Sequence, residues 1–270
     1  MNARMNRAAR QMVACLCAMV CGVWMASASA EEAIPKHLQV ARDIVKNVKP
    51  ENNAYSNKPR YIRFPGDLFT SEYTVRTDCT GFTEAILDKA YGFTPTFSTK
   101  KFDRIYSIID WVDGVDRGET FDKIERVQDL KPGDFVLWKY IVFPTDAFSV
   151  AWGHNGHILT VNSVPRRIEP QRKPYMEGAI QWEIEILDSS TGAASPDDTR
   201  ASANNITVDS NGNKVKRKVT GAGKGRRYIY TNAEGKILGE QGAYPHLKVN
   251  VQDVDRRIVM ARLRYNEIKK

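Results

Sequence analysis

The sequence predicts an α+β fold with N-terminal helices packed on an antiparallel sheet. Two observations carry this reading. Apolar residues recur every three or four positions in the first half of the chain, then alternate or run on continuously in the second half. Helical stretches also precede strands instead of alternating with them, which disfavours a parallel βαβ arrangement. The 270 residues are 42% hydrophobic and 27% charged, a balance that supports a sizeable core and excludes a largely disordered chain. A mean hydropathy of −0.46 excludes a polytopic membrane protein.

Taken in order, Ile34, Leu38, Ala41, Val45 and Val48 define one face of a first helix, which Pro50 ends. Residues 51–77 are mixed and read as loop. From Cys79 a second helix presents Phe82, Ile86 and Ala90 on one face and stops at Gly92. Residues 100–112 read as helical again. Ile124, Val127 and Leu130 form a short apolar stripe before Pro132-Gly133. Asp134 to Ile141 is a near-continuous apolar run suited to a buried strand, and His157 to Val164 is strand-like. Ile180 to Leu187 alternates strictly. Residues 189–225 are polar and read as an exposed excursion, with a hairpin at Asp209 to Lys214. Tyr228 to Leu238 reads as another hairpin around Asn232-Ala233-Glu234-Gly235, and Ile258 to Leu263 as a last strand.

The first thirty residues stand apart. Arg4, Arg7 and Arg10 precede an apolar run from Met12 to Met25, and Ala28-Ser29-Ala30 follows. This is the pattern of a secretory signal peptide; the 14-residue run is short for a membrane span, which needs roughly 20. Residues 1–30 are therefore expected to be removed on export to the periplasm or beyond. Residues 31–270 are expected to form one domain with no stable membrane insertion. Cleavage lowers the net charge from +8 to +5. That modest, diffuse surplus suits anionic surroundings such as cell-wall polymers and does not argue for nucleic acid.

Cleavage would also leave Cys79 as the one cysteine of the mature chain. In an oxidising compartment an unpaired thiol is either buried and inert or kept for its reactivity. In Thr77-Asp78-Cys79-Thr80-Gly81-Phe82, Thr77 or Asp78 is a good N-cap, so Cys79 falls in a first helical turn. The helix dipole and unpaired amides there favour a thiolate and can hold an oxyanion. The four histidines are His37, His154, His157 and His246. His37 reads as a surface residue of the first helix and His246 as a bystander. His157 opens a strand and is held more firmly than His154 in the glycine-flanked turn before it, so His157 is the preferred base. His154 is left for substrate contact or turn solvation. If the strands of His157 and Leu187 are antiparallel neighbours, Asp188 lies beside His157 and can orient it; the alternative is an ordinary turn-opening Asp. A zinc site would need three or four ligands, and His154, His157 and Asp188 offer few once the thiol is assigned, so no metal and no other cofactor is expected. One or two of Trp111, Trp138, Trp152 and Trp182 are expected in a groove and the rest in the core.

Asp78-Cys79-Thr80-Gly81-Phe82, Leu130-Lys131-Pro132-Gly133-Asp134-Phe135 and Gly156-His157-Ile158, in that order, resemble the NlpC-type cell-wall peptidase family. The resemblance covers residues 73–190. It implies a papain-like fold, Cys79 as nucleophile, His157 as base, Asp188 as third residue, and cleavage of amide bonds in peptidoglycan stem peptides. It also implies a tyrosine upstream of the cysteine at the oxyanion site, for which Tyr73 and Tyr61 are the candidates. Asp78 and Thr80 stand beside the nucleophile, Thr80 where the family more often has Ser. The chain departs from the family in a long Cys79-to-His157 segment, with Phe143 to Ala151 as an insertion. Gly221-Ala222-Gly223-Lys224-Gly225 lacks the phosphate-loop pattern and reads as a flexible basic loop. Two other functions fit the same residues: an acyltransferase or other amide or ester hydrolase on this fold, and a non-enzymatic wall-binding module with an inert cysteine.

Overall fold

A computed structural model describes residues 33–67, 70–98, 106–142, 155–201, 205–208, 212–216 and 218–264. Three α-helices occur among them: α1 (Lys36–Asn47), α2 (Cys79–Tyr91) and α3 (Ile108–Asp116). The strands are β1 (Asn53–Ala54), β2 (Tyr61–Arg63), β3 (Thr74–Arg76), β4 (Phe121–Ile124), β5 (Phe135–Tyr140), β6 (Gly156–Val161) and β7 (Arg166–Arg167). They continue with β8 (Ile180–Ser190), β9 (Ile206–Val208), β10 (Lys214–Lys216), β11 (Gly221–Thr231), β12 (Ile237–Gly242), β13 (Asn250–Val251) and β14 (Arg256–Leu263).

Among the described residues, nine strands form one sheet in the order β13-β12-β11-β8-β6-β5-β14-β4, with β7 beside β8. All its pairings are antiparallel. The apolar run of β5 is continuous because both faces of the sheet are covered. Phe135 and Leu137, with Ile158, Val259 and Ala261, pack on Leu87 of α2 and Trp111 and Val112 of α3. Val136 and Trp138, with Leu159, Val161, Ile184, Ile186, Ile258 and Met260, form a second core on the other face. Among the described residues no α-helix supplies a side chain to that second core. It is enclosed by curling of the sheet: Arg256 at the start of β14 reaches Glu240 of β12, and Gln252 bridges to Arg256. Described residues from Ile34 onward form one compact unit.

Each helix follows from its local sequence. α1 turns Leu38, Ala41 and Ile44 inward onto Phe82 and Ile86 of α2. Asp78 caps α2, and Ser107 with Asp110 forms a reciprocal capping box on α3. Fully buried side chains such as Leu38, Ile86 and Val112 each contribute about 1.5–3 kcal/mol.

Several expectations need correction. Residues 51–77, read as loop, include β1, β2 and β3; the pairing there is short and local, so hydrophobic periodicity has no room to show it. The third helix starts at Ile108, while 99–105 lie outside the described residues, as do His154, Trp152 and the apparent insertion Phe143 to Ala151. The excursion at 189–225 is not simply exposed. It opens within β8 and closes within β11, and Ser189, Ser195, Asp198 and Arg200 are buried. Gly221–Gly225 is strand, paired with Ser190 to Ile186. Its alternate glycines face buried groups: a Cβ on Gly223 would meet Arg200 Nε at 2.2 Å, and one on Gly225 would meet Asp198 Oδ2 at 2.2 Å. Strands β9 and β10 pair with each other, so the strands of the hairpin expected at Asp209 to Lys214 flank those residues.

His37 is likewise not a surface residue. Only 1% exposed, it stacks on Phe135 at 5.4 Å, its Nε2 lies 2.8 Å from the Gly133 carbonyl, and its Nδ1 is 3.1 Å from the Tyr91 hydroxyl. It therefore pins α1 to α2 and to the turn before β5. Burial, which outweighs the hydrogen bond to Gly133, lowers its pKa to about 4. The unfolded chain takes up this proton near pH 6.5 and the folded chain near 4, so stability falls as pH drops through that window. The loss is about 3 kcal/mol once both states are protonated. Urea unfolding followed from pH 7 to 4 is expected to show that the His37→Gln variant, though less stable at neutral pH, lacks this part of the acid dependence.

Candidate active site

The site begins where β6 and β8 part. The two strands pair only at Thr160 with Leu187 and Val161 with Ile186, and toward Gly156 the N-terminal end of α2 packs against both. Ser189 donates a hydrogen bond to the Thr77 carbonyl at 2.7 Å, anchoring the segment that leads into Cys79. Asp78 accepts from the Gly81 amide at 2.7 Å, and Thr80 Oγ1 lies 3.2 Å from the same carboxylate oxygen. Arg60 crosses this turn, 3.2 Å from Asp78, 3.2 Å from Thr80 and 2.7 Å from Glu84. Gly81 is required by that crossing, since a Cβ would sit 2.1 Å from Arg60 Nε and 2.2 Å from Thr77 Oγ1. Asp78 and Thr80 thus hold the helix start in place.

Cys79 is a free cysteine, 5% exposed, packed in the core cluster with Leu87, Trp111 and Ile158. It is not sealed in hydrocarbon, because the His157 ring lies close enough for the two side chains to interact electrostatically. His157 Nε2 lies 2.6 Å from Asp188 Oδ2. With Nε2 committed there, Nδ1 is the ring nitrogen left for the sulfur. Burial disfavours the charged ring, but the negative charge of Cys79 and the hydrogen bonds to Asp188 and Cys79 outweigh it and raise the His157 pKa to about 9. At neutral pH the ring is an imidazolium paired with Asp188.

Asp188 lies inside β8, two residues before its end, and not in the turn after it. It is 2% exposed. Its second oxygen, Oδ1, is 2.7 Å from Arg200 Nη2, an ion pair without hydrogen-bond alignment. Burial alone would raise the carboxyl; Arg200 and His157 reverse this and hold its pKa down at about 2. Arg200 is in turn clasped by Asp198, which accepts from its Nε at 2.9 Å and its Nη2 at 2.8 Å, while Nη1 donates to the Gly221 carbonyl at 3.0 Å. Asp198 also accepts from the Ala194 and Arg200 amides, both at 2.8 Å. His157, Asp188, Arg200 and Asp198 thus make a line of alternating charge that ends beside Cys79, with Asp188 and Arg200 in its buried centre.

Sequence reasoning missed Arg200, Asp198 and Tyr55. Strand β1 runs parallel to β3 and carries Asn53 and Ala54 opposite Val75 and Arg76; backbone bonds at 3.3 Å then tie Ala54 and Ser56 to Thr77. Tyr55 is thereby set beside the residues leading into Cys79. Burial first, then the charges of Cys79, Asp78 and Asp188, push its phenol pKa up, so it remains an O–H donor at neutral pH. Tyr73, the sequence candidate for an upstream tyrosine, packs on Phe64 at 5.9 Å in the cluster around α1, and Tyr61 lies under Arg63. Among the tryptophans, Trp111 is core, Trp182 donates to Thr231 at 3.0 Å, and Trp138 sits 5.2 Å from the His157 ring. A cavity of about 260 Å³ opens beside His157, with Tyr55 and Trp138 in its wall. Among the described residues no group of three His, Cys, Asp or Glu side chains is arranged to hold a metal ion, and no helix is long and apolar enough to cross a membrane.

No protein-family model matches the chain, and no solved structure matches it. The uncharacterised protein R653 of Acanthamoeba polyphaga mimivirus is similar, 28% identical over 172 residues that cover 62% of this chain and 68% of the viral one. Its name assigns no activity.

Two outcomes test the charge line. In Asp188→Asn, the midpoint of the His157 ring followed by NMR is expected to fall from about 9 by at least about one unit, a change of about 1.4 kcal/mol. Arg200→Met leaves Asp188 and Asp198 buried without their shared cation and is expected to cost about 3–5 kcal/mol in urea unfolding.

Proposed function

We propose that this protein is an exported cysteine hydrolase of papain-like fold that cleaves amide bonds in peptidoglycan stem peptides, with Cys79, His157 and Asp188 as its catalytic triad. The observation that carries the reading is the Cys79 side chain at the start of α2, interacting with an imidazole whose Nε2 is held 2.6 Å from a buried carboxylate. A nucleophile, a base and an orienting group in that relation support covalent acyl transfer. The peptide substrate and the export rest on the resemblance of residues 73–190 to the NlpC-type family and on the signal-like first thirty residues.

The chemistry follows from the protonation states. The Cys79 thiolate attacks the amide carbonyl carbon, and the C=O electron pair moves onto oxygen. Backbone amides at the start of α2 and the Tyr55 hydroxyl are suited to receive that oxyanion. As the oxyanion collapses the C–N bond breaks, and the His157 imidazolium gives its proton to the leaving amine, producing a thioester. Water then attacks the thioester, His157 takes its proton, and the carboxylic acid leaves as the thiolate is restored. Asp188 holds the ring orientation and stabilises its charged form throughout, without itself being protonated.

Cys79→Ala is expected to abolish release of new amino termini from purified peptidoglycan, and His157→Gln to lower it by about 10²–10⁴; undiminished product from Cys79→Ala would overturn the reading. The raised His157 pKa means the imidazolium, and the stability of its ion pairs, is fully present below about pH 6.5 and lost as pH rises through about 9. The alkaline limb of kcat/KM is accordingly expected near pH 9, and in Asp188→Asn at lower pH.

A further inference from the structure

Strands β9 and β10 take no part in the charge line and form a two-stranded sheet of their own. Both ends of this ribbon are tied to the body of the protein. Asn205 Nδ2 donates to the Thr199 and Ala201 carbonyls, each at 2.9 Å; beyond β10, Val219 is buried and Thr220 Oγ1 accepts from the Tyr55 amide at 3.1 Å. Between these anchors every side chain described from Ile206 to Lys218 is exposed. Ile206 stands opposite Lys216 and Val208 opposite Lys214. Directly opposed residues of an antiparallel pair share a face. One face therefore carries Ile206, 57% exposed, and Val208, 66% exposed, each flanked by a lysine. The sequence of 205–219 holds Lys214, Lys216, Arg217 and Lys218 against Asp209, a surplus of three positive charges. Elsewhere such groups are matched, Arg166 and Arg226 by Glu183 and Arg262 by Asp134. Among the described residues, Lys214, Lys216 and Lys218 meet no carboxylate.

We propose that the β9–β10 ribbon is a docking face for a lipid bilayer with anionic headgroups, on which the folded protein adsorbs. Unmatched lysines attract any anionic surface. Ile206 and Val208 on the same face narrow the choice, because they need an apolar phase just beneath the charge, which a hydrated polyanion lacks and a bilayer has. The lysine stems can lie along acyl chains while their ammonium groups stay at headgroup level. Lysines on an exposed ribbon also keep its edges from pairing with other strands. That role accounts for the charge and leaves two large apolar side chains facing water. The proposal uses neither Cys79 nor His157 and stands apart from the hydrolase reading.

Flotation of the full protein with phosphatidylcholine vesicles, with and without phosphatidylglycerol, tests this. Binding is expected to require phosphatidylglycerol and to weaken as salt is raised. Lys214→Gln with Lys216→Gln, and separately Ile206→Ser with Val208→Ser, are each expected to weaken it about tenfold. All four positions are exposed, so both double variants are expected to unfold in urea as the parent does. Any contribution of residues 1–30 is common to every variant. Hydrogen exchange gives a local reading: anionic vesicles are expected to slow exchange of the amides of 206–216. Equal binding to both kinds of vesicle, or binding indifferent to both double variants, would overturn the proposal. So would retention on purified peptidoglycan that needs the lysines but not Ile206 and Val208, with no vesicle binding, which would make the ribbon a polyanion contact. Dimerisation without vesicles that Ile206→Ser with Val208→Ser abolishes would make it a self-association face and overturn the lipid assignment.

Discussion

The contact on which the rest of the site depends is the burial of Asp188 between His157 and Arg200. A carboxylate at 2% exposure would ordinarily take a proton and turn neutral. Flanked by two cations it stays ionised, and an ionised Asp188 joins Cys79 in raising the His157 pKa. The charge held beside Cys79 thus depends in part on Asp188, a side chain buried from solvent behind His157.

That arrangement explains why so much of the segment after β8 is polar and still ordered. Asp198 and Arg200 fold back under β11, and Asp198 is held by backbone amides as well as by the guanidinium. The alternation of glycine in Gly221-Ala222-Gly223-Lys224-Gly225 leaves the face of β11 open where these side chains lie, so backbone and buried ion pair approach closely. Ion pairs taken out of water contribute little net stability, because desolvation offsets most of their attraction. Retaining one here fits a role in fixing the geometry and charge of the site.

The curled sheet serves the site in a second way. One face carries the helices and brings the start of α2 to the parting of β6 and β8. The other encloses its own core and brings β11, β12 and β14 together around Glu240, next to Trp138 and His157. The charge line and the cavity thus meet at His157.

Local chemistry made much of this legible in the sequence. A 3.6-residue period marked α1 and α2, and a cap at Thr77 or Asp78, which the structure resolves as Asp78, placed Cys79 in the first turn of α2. The continuous apolar stretch of β5 and the alternation of β8 reported burial directly, and antiparallel geometry was enough to pair His157 with Asp188. What only the tertiary structure decided concerns residues whose meaning depends on distant partners. His37 became core because α1 lies over Gly133 and Phe135, Tyr55 rather than Tyr73 reached the site because β1 pairs with β3, and Arg200 met Asp188 because a polar segment folded inward. Periodicity and capping are set by neighbours a few residues apart, so a linear reading recovers them. The burial of a charge or an imidazole is set by long-range contacts that form only when the sheet closes.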